Sequence, residues 1–183
     1  EELREVRLNK LQLLQEAGMD PYPASVIRDF SLKEVLDNFQ EGKTGSIAGR
    51  ITAIRGGGAI IFVALFDGTE HFQAVLKKDE IDPQLLKLFV DTVDVGDFVW
   101  FSGNLFTTQR GAQSLLVKDW KMAGKSLLPL PDKHSGLQDE DTVLRKRYLD
   151  ALTNPETFNR FKLRSEIISE IRKFLNERNF MEV

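Results

Sequence analysis

Three residues near the middle of this 183-residue chain, Arg55, Phe62 and Gln73, have the types needed to hold an unpaired nucleobase. An aromatic ring offers a base a surface to stack on, and an amide or guanidinium offers partners for its edge. Phe62 lies in Ile60-Ile61-Phe62-Val63-Ala64-Leu65-Phe66. In an extended strand Ile61, Val63 and Leu65 share one face, and Ile60, Phe62, Ala64 and Phe66 share the other. In the following run His71, Gln73 and Val75 stand opposite Phe72, Ala74 and Leu76. Asp67-Gly68 between the runs signals a two-residue hairpin, and that register sets Phe62 directly across from Gln73. Arg55 ends an earlier strand just before Gly56-Gly57-Gly58, within reach of the same surface. Each residue alone has a plainer reading: Phe62 as a core side chain, Gln73 as a solvated strand position, Arg55 as a surface charge. The glycine run reads as a flexible turn, because a phosphate-cradling glycine loop opens a helix and this one opens a strand.

No other grouping of residues competes for chemistry. The absence of Cys removes disulfides, thiolate zinc sites and Cys nucleophiles. Two histidines, His71 and His134, do not make a metal site. We assign no catalytic residue and no metal ligand. A formal net charge of -3 excludes a protein that coats nucleic acid indiscriminately, but it leaves room for a small shaped site. With 42% hydrophobic residues and thirteen Phe the chain can build a packed core, which excludes a disordered chain. The opening Glu1-Glu2-Leu3-Arg4-Glu5 has no apolar signal region, and no stretch approaches the roughly 18 apolar residues of a membrane helix. The chain reads as cytosolic.

The elements that must position these residues follow from period and punctuation. Leu3 to Ala17 is rich in helix formers and ends at Gly18, and Pro21 and Pro23 then extend the chain. Ser31-Leu32-Lys33-Glu34 is a capping box opening a short helix to about Phe39. From Thr44 the period becomes two: Ile47, Gly49, Ile51 and Ala53 alternate with Ala48, Arg50 and Thr52. Two further strands follow, around Phe62 and Gln73. Lys77 to about Val93 reads as helical, broken only by Pro83, and Phe98–Thr107 and Ser114–Met122 read as strands joined through Gln109-Arg110-Gly111. The order β-β-β-α-β-β predicts a mainly β protein built on a five-stranded OB-fold barrel. Its strand 2–3 face and adjoining loops are where such barrels bind oligonucleotides.

Gly124 to Asp141 carries Pro129 and Pro131 and reads as a semi-rigid linker. Thr142 to Leu149 reads as one short helix, with Arg145, Lys146 and Arg147 either on a solvated end or on a nucleic-acid backbone. Asn154-Pro155-Glu156 then starts a helix with an apolar stripe of Leu163, Ile167, Ile168, Ile171, Phe174 and Leu175. The expected layout is an N-terminal helical extension (1–42), the barrel (43–123), the linker (124–141) and the first helices of an α/β domain (142–183). The stop at Val183, straight after a helical pattern, reads as a boundary within a longer protein.

The stretch from Leu127-Leu128-Pro129-Leu130-Pro131 to Gly136-Leu137-Gln138-Asp139, with Arg145-Lys146-Arg147-Tyr148-Leu149-Asp150 behind it, resembles the connector of bacterial class II lysyl-tRNA synthetases. Gly18-Met19-Asp20-Pro21-Tyr22-Pro23 is similar to that family's N-terminal exit, and Arg164-Ser165-Glu166 through Val183 is similar to the start of class II motif 1. The resemblance implies an anticodon-binding barrel reading a central uridine. Phe62 falls on the stacking residue, and Arg55 and Gln73 fall on residues that hydrogen-bond the base. Ala112 stands where the family carries Glu, with Gln113 as the candidate substitute, and Asn179 stands where it usually has Gly. For the full-length enzyme the resemblance implies a cytoplasmic homodimer that uses ATP and magnesium to join lysine to tRNA-Lys. The ATP-holding motifs fall after Val183, so these residues alone are expected to bind neither cofactor and to be inactive. The rival readings are an aspartyl- or asparaginyl-tRNA synthetase N-terminal region, and a stand-alone OB-fold nucleic-acid-binding module.

Overall fold

A computed structural model describes residues 2–131 and 136–183. The middle of the Pro-rich connector, with His134, lies outside the described residues. The chain forms two compact units, residues 1–129 and 130–183.

The first unit opens with α1 (Glu2–Glu16) and α2 (Leu32–Asp37). The α1 helix ends in a Schellman motif: Met19 N–H donates to Leu14 O and Gly18 N–H to Gln15 O, with Gly18 at a positive φ that only glycine adopts freely. At α2 the capping box is present in both directions. Five strands follow: β1 (Thr44–Gly57), β2 (Ile60–Phe66), β3 (His71–Lys77), β4 (Phe98–Thr107) and β5 (Gln113–Gly124), with α3 (Pro83–Thr92) between β3 and β4. They close into a barrel in the order β1-β2-β3-β5-β4, with β3 and β5 parallel and every other neighbouring pair antiparallel. This is the OB-fold that the strand order predicts.

Period-two alternation fills the barrel. Ile47, Ile51, Val63, Leu65, Ala74, Leu76, Val99, Phe101, Leu115 and Val117 all point inward and are buried. Trp120 meets Phe89 of α3 edge-on at 5.2 Å, and its ring N–H donates to Leu85 O at 2.9 Å. That bond satisfies the one polar atom of a fully buried indole. Leu14, the buried residue of α1, joins the same core. On β4, Gly103 is required by close approach: a Cβ there would fall 1.9 Å from Leu116 O.

Four expectations need correction. Helix α3 does not start at Lys77. Lys77 ends β3, and Asp82 caps α3 by accepting from the Gln84 and Leu85 N–H groups, with Pro83 at the first helical position. The stretch read as one helix from Thr142 is two, α4 (Glu140–Arg145) and α5 (Arg147–Thr153), breaking at Lys146. The chain at Gly124-Lys125-Ser126 is not yet linker: β5 runs through Gly124, and Lys125 is buried.

The last correction concerns the hairpin. The loop between β2 and β3 has four residues, because Phe66 pairs with His71. Asp67 is the reason. One carboxylate oxygen accepts from Thr69 N–H and O–H, and the other takes Arg28 and Leu32 N–H, which ties α2 to the hairpin. Burial pushes this carboxyl up, but the Thr69 hydroxyl, the Leu32 and Thr69 N–H groups and Arg28 outweigh it and hold it at about 2, against an ordinary 3.8. A depressed folded-state pKa stabilises above the unfolded value and loses its contribution as pH falls through the folded value. Asp67→Asn is therefore expected to melt lower than wild type at pH 6, with the gap closing between pH 4 and pH 2. Melting curves that stay parallel down to pH 2 would count against the carboxylate's role.

In the second unit Asn154 caps α6 (Pro155–Asn176), accepting from the Glu156 and Thr157 N–H groups. The helix ends in a second Schellman motif, Phe180 N–H to Leu175 O and Asn179 N–H to Asn176 O. Asn179 takes the left-handed position at φ 63°, where Asn is the next-best residue after Gly. The apolar stripe of α6 is exposed within this unit.

Candidate nucleic-acid interface

The outer face of β1, β2 and β3 carries the predicted residues. In β2 the residues Phe62, Ala64 and Phe66 are half-buried, while Ile61, Val63 and Leu65 are buried. The face assignment of Phe62 therefore holds, and its register does not. Phe62 pairs with Val75, and Gln73 pairs with Ala64. A shift of two residues moves a side chain along a strand but keeps it on its face. Phe62 and Gln73 are consequently diagonal neighbours, a spacing that aromatic and long side chains still bridge.

Arg55 reaches this face through a feature the alternation hides. Ile51 pairs with Leu65 and Ala53 with Ala64, so Thr52 is an extra residue in β1. The bulge inverts the alternation beyond it. Ala53 turns outward, Ile54 packs against the core, and Arg55 stands across from Phe62 on the outer face. Without the bulge Arg55 would share a face with Ile51 and point into the barrel.

Beside this row is a cleft of about 450 Å³ lined by Leu36, Arg55, Ala64, His71, Phe72, Gln73, Gly111 and Gln113. Three of the four residues singled out from the sequence thus line one cleft, and Phe62 stands next to it across from Arg55. Gln113, at the exposed start of β5, reaches the cleft, while Ala112 brings no polar side chain to it.

Two participants were missed. The ring of His71 stacks on Phe66 at 4.6 Å, adding a second aromatic surface at the end of the face. Asp67-Gly68 signals a shorter loop that would not pair them, and only the four-residue loop makes Phe66 and His71 direct partners. Ser114 is fully buried beside Gln73, and Gln73 Nε2 donates to its Oγ at 2.9 Å. Ser114 reaches Gln73 through the parallel β3–β5 pairing, a long-range contact with no local signature.

Comparison with known proteins agrees with this fold. The family described as "OB-fold nucleic acid binding domain" matches residues 46–123, and "tRNA synthetases class II (D, K and N)" matches residues 139–183. A lysine–tRNA ligase of Carboxydothermus hydrogenoformans is 40% identical over 184 residues, covering 100% of this chain. Over its whole length the chain is similar to lysine–tRNA ligases, with an OB-fold nucleic-acid-binding domain followed by the start of a class II tRNA synthetase domain. One from Clostridium perfringens strain SM101 is 42% identical over 97% of the chain, and lysine–tRNA ligase 2 of Methanosarcina mazei is 39% identical over 96%. The chain spans 38%, 36% and 35% of the length of these three synthetases, respectively. No described helix is long and apolar enough to cross a membrane.

Proposed function

We propose that this chain supplies the anticodon-binding part of a lysine–tRNA ligase, with Phe62 stacking on the central anticodon base and Arg55, Gln73 and Gln113 bonding the loop. The observation that carries this reading is the outer face itself: an aromatic ring, a guanidinium and two amides gathered where an OB-fold barrel takes oligonucleotides. In this reading residues 43–123 read the anticodon, 1–42 brace the barrel, 124–141 connect, and 142–183 begin the class II catalytic domain. The whole enzyme would form lysyl-adenylate and pyrophosphate from lysine and ATP, then transfer the lysyl group to the terminal ribose of tRNA-Lys. It would work in the cytoplasm as a homodimer, with the apolar stripe of α6 contributing to the subunit interface. Magnesium would neutralise the ATP phosphates when bound. Among the described residues no three His, Asp or Glu side chains are grouped to hold a metal ion, so none is given that role. A class II match that also spans the aspartate and asparagine enzymes keeps those as relatives, and similarity along nearly the whole chain favours lysine.

Titration of a fluorescent lysine anticodon stem-loop into the protein is expected to show weak binding that falls as salt rises, because phosphate contacts release counterions. Equal affinity for a loop with cytidine at the centre would sink the reading.

A further inference from the structure

We infer that Ser114 is a positioning residue that sets base specificity by locking the carboxamide of Gln73 in one orientation. The inference rests on the anticodon reading above.

A serine hydroxyl has one proton to give. Ser114 Oγ lies 3.3 Å from Ala112 O as its donor, which leaves the hydroxyl oxygen to accept from Gln73. The bond from Gln73 Nε2 at 2.9 Å fits that requirement. A flipped carboxamide would need that proton for its own oxygen, so the flip would cost the Ser114 bond to Ala112 O. The relay has a firm anchor, because Ala112 O also accepts from Thr108 N–H at 2.9 Å and Gly111 N–H donates to Thr108 O at 2.8 Å. The β4–β5 loop is thereby fixed to the end of β5, where Ser114 pairs with Gln73 on one side and Phe106 on the other. Full burial of Ser114 keeps water from competing for the bond.

The lock has a chemical consequence for a base. With Nε2 held toward Ser114, the Gln73 oxygen is turned away from it as a fixed acceptor, and the second N–H remains as a donor. Uridine offers a donor at N3 flanked by two carbonyl acceptors, which a fixed acceptor beside a donor can satisfy. Cytidine offers a lone pair at N3 and a donor at N4, so the same fixed oxygen faces a lone pair. A carboxamide free to rotate would serve both bases equally. Gln73 alone therefore supplies hydrogen bonds, and Ser114 supplies the choice between pyrimidines.

The experiment compares wild type, Ser114→Ala, Gln73→Ala and the double variant, each titrated with stem-loops carrying uridine or cytidine at the centre. Thermal melts are run in parallel. Ser114→Ala leaves Ala112 O bonded to Thr108 N–H, so it orphans no backbone acceptor and its melt is expected near wild type. Its preference for uridine is expected to fall by on the order of tenfold, mainly through tighter binding of the cytidine loop. In the Gln73→Ala background Ser114→Ala is expected to change the preference no further. A preference kept intact in Ser114→Ala, or equal loss for both loops, overturns the role of Ser114 while leaving the anticodon reading standing. No preference in wild type overturns the anticodon reading itself, and this inference with it.

Discussion

Lys125→Met is expected to cost about 3–5 kcal/mol of stability, the usual penalty for breaking a buried ion pair by removing one partner. The Lys125 side chain is 0% exposed and donates to Thr92 O, Asp94 Oδ2 and Asp97 Oδ2, each at 2.7 Å. Asp97 is equally buried, and both its oxygens also accept backbone N–H groups, from Asp94 and Ser126. Without the ammonium its charge is left in a low-dielectric site with two dipoles for company. Asp94 is better protected because Lys10 of α1 also pairs with it at 2.6 Å. Asp97→Asn is not a gentle alternative, since one end of the amide would point an N–H at a backbone N–H. The cluster joins α1, the end of α3, the start of β4 and the chain leaving β5. Arg7 of α1 adds a bond to Ser126 O, and Tyr22 O–H adds one to Lys125 O. Denaturant melts of Lys125→Met and Lys10→Met separate the terms. The first should lose several-fold more stability than the second, and equal small losses would show that the buried charge is already balanced by the backbone.

This cluster marks where sequence reading stops. The strands were legible because a barrel wall with one wet face imposes period two, and Ile47, Val63, Leu65, Phe101 and Val117 keep to it. Helix ends were legible where a cap is local, as at Ser31-Leu32-Lys33-Glu34 and Asn154-Pro155. Lys125 was read as linker because nothing within a few residues announces that two aspartates, 28 and 31 positions earlier, will enclose it. The Asp67-Gly68 signal failed for a similar reason: Asp67 is engaged by Arg28 and Leu32, far upstream, and so closes a wider turn. At the site, the faces of Phe62 and Gln73 were legible, while their register and the face of Arg55 were not. Parity follows from an unbroken strand, whereas the pairing depends on the loop at Asp67 and the parity of Arg55 on the bulge at Thr52. Ser114 was invisible because strand alternation does not predict which nonconsecutive strands will close a barrel.

Phe62→Ala is expected to weaken stem-loop binding by about 1–3 kcal/mol, the usual value of one aromatic–base stack. Its cost to folding should be well below the roughly 3–5 kcal/mol lost when a buried Phe is cut back to Ala. The two effects separate because Phe62 is half-buried on the outer face and stands outside the buried cluster that holds the barrel together. Its partners across the strands are Arg55 on one side and Val75 on the other. Val75 is 1% exposed although it shares that face, so Phe62→Ala is expected to wet part of it and cost a modest amount of apolar burial. The Gln73→Ala variant calibrates the result. Losing an amide leaves a base edge without its partner, which costs affinity, while Ser114 can keep its bond to Ala112 O. Phe62→Ala should therefore bind weakly to every loop, because any base has a face to stack, whereas Gln73→Ala should lose mainly the preference for uridine. A Phe62→Ala protein that melts as low as a core variant while keeping wild-type affinity would place the ring in the packing of the barrel and remove the stacking platform from the site.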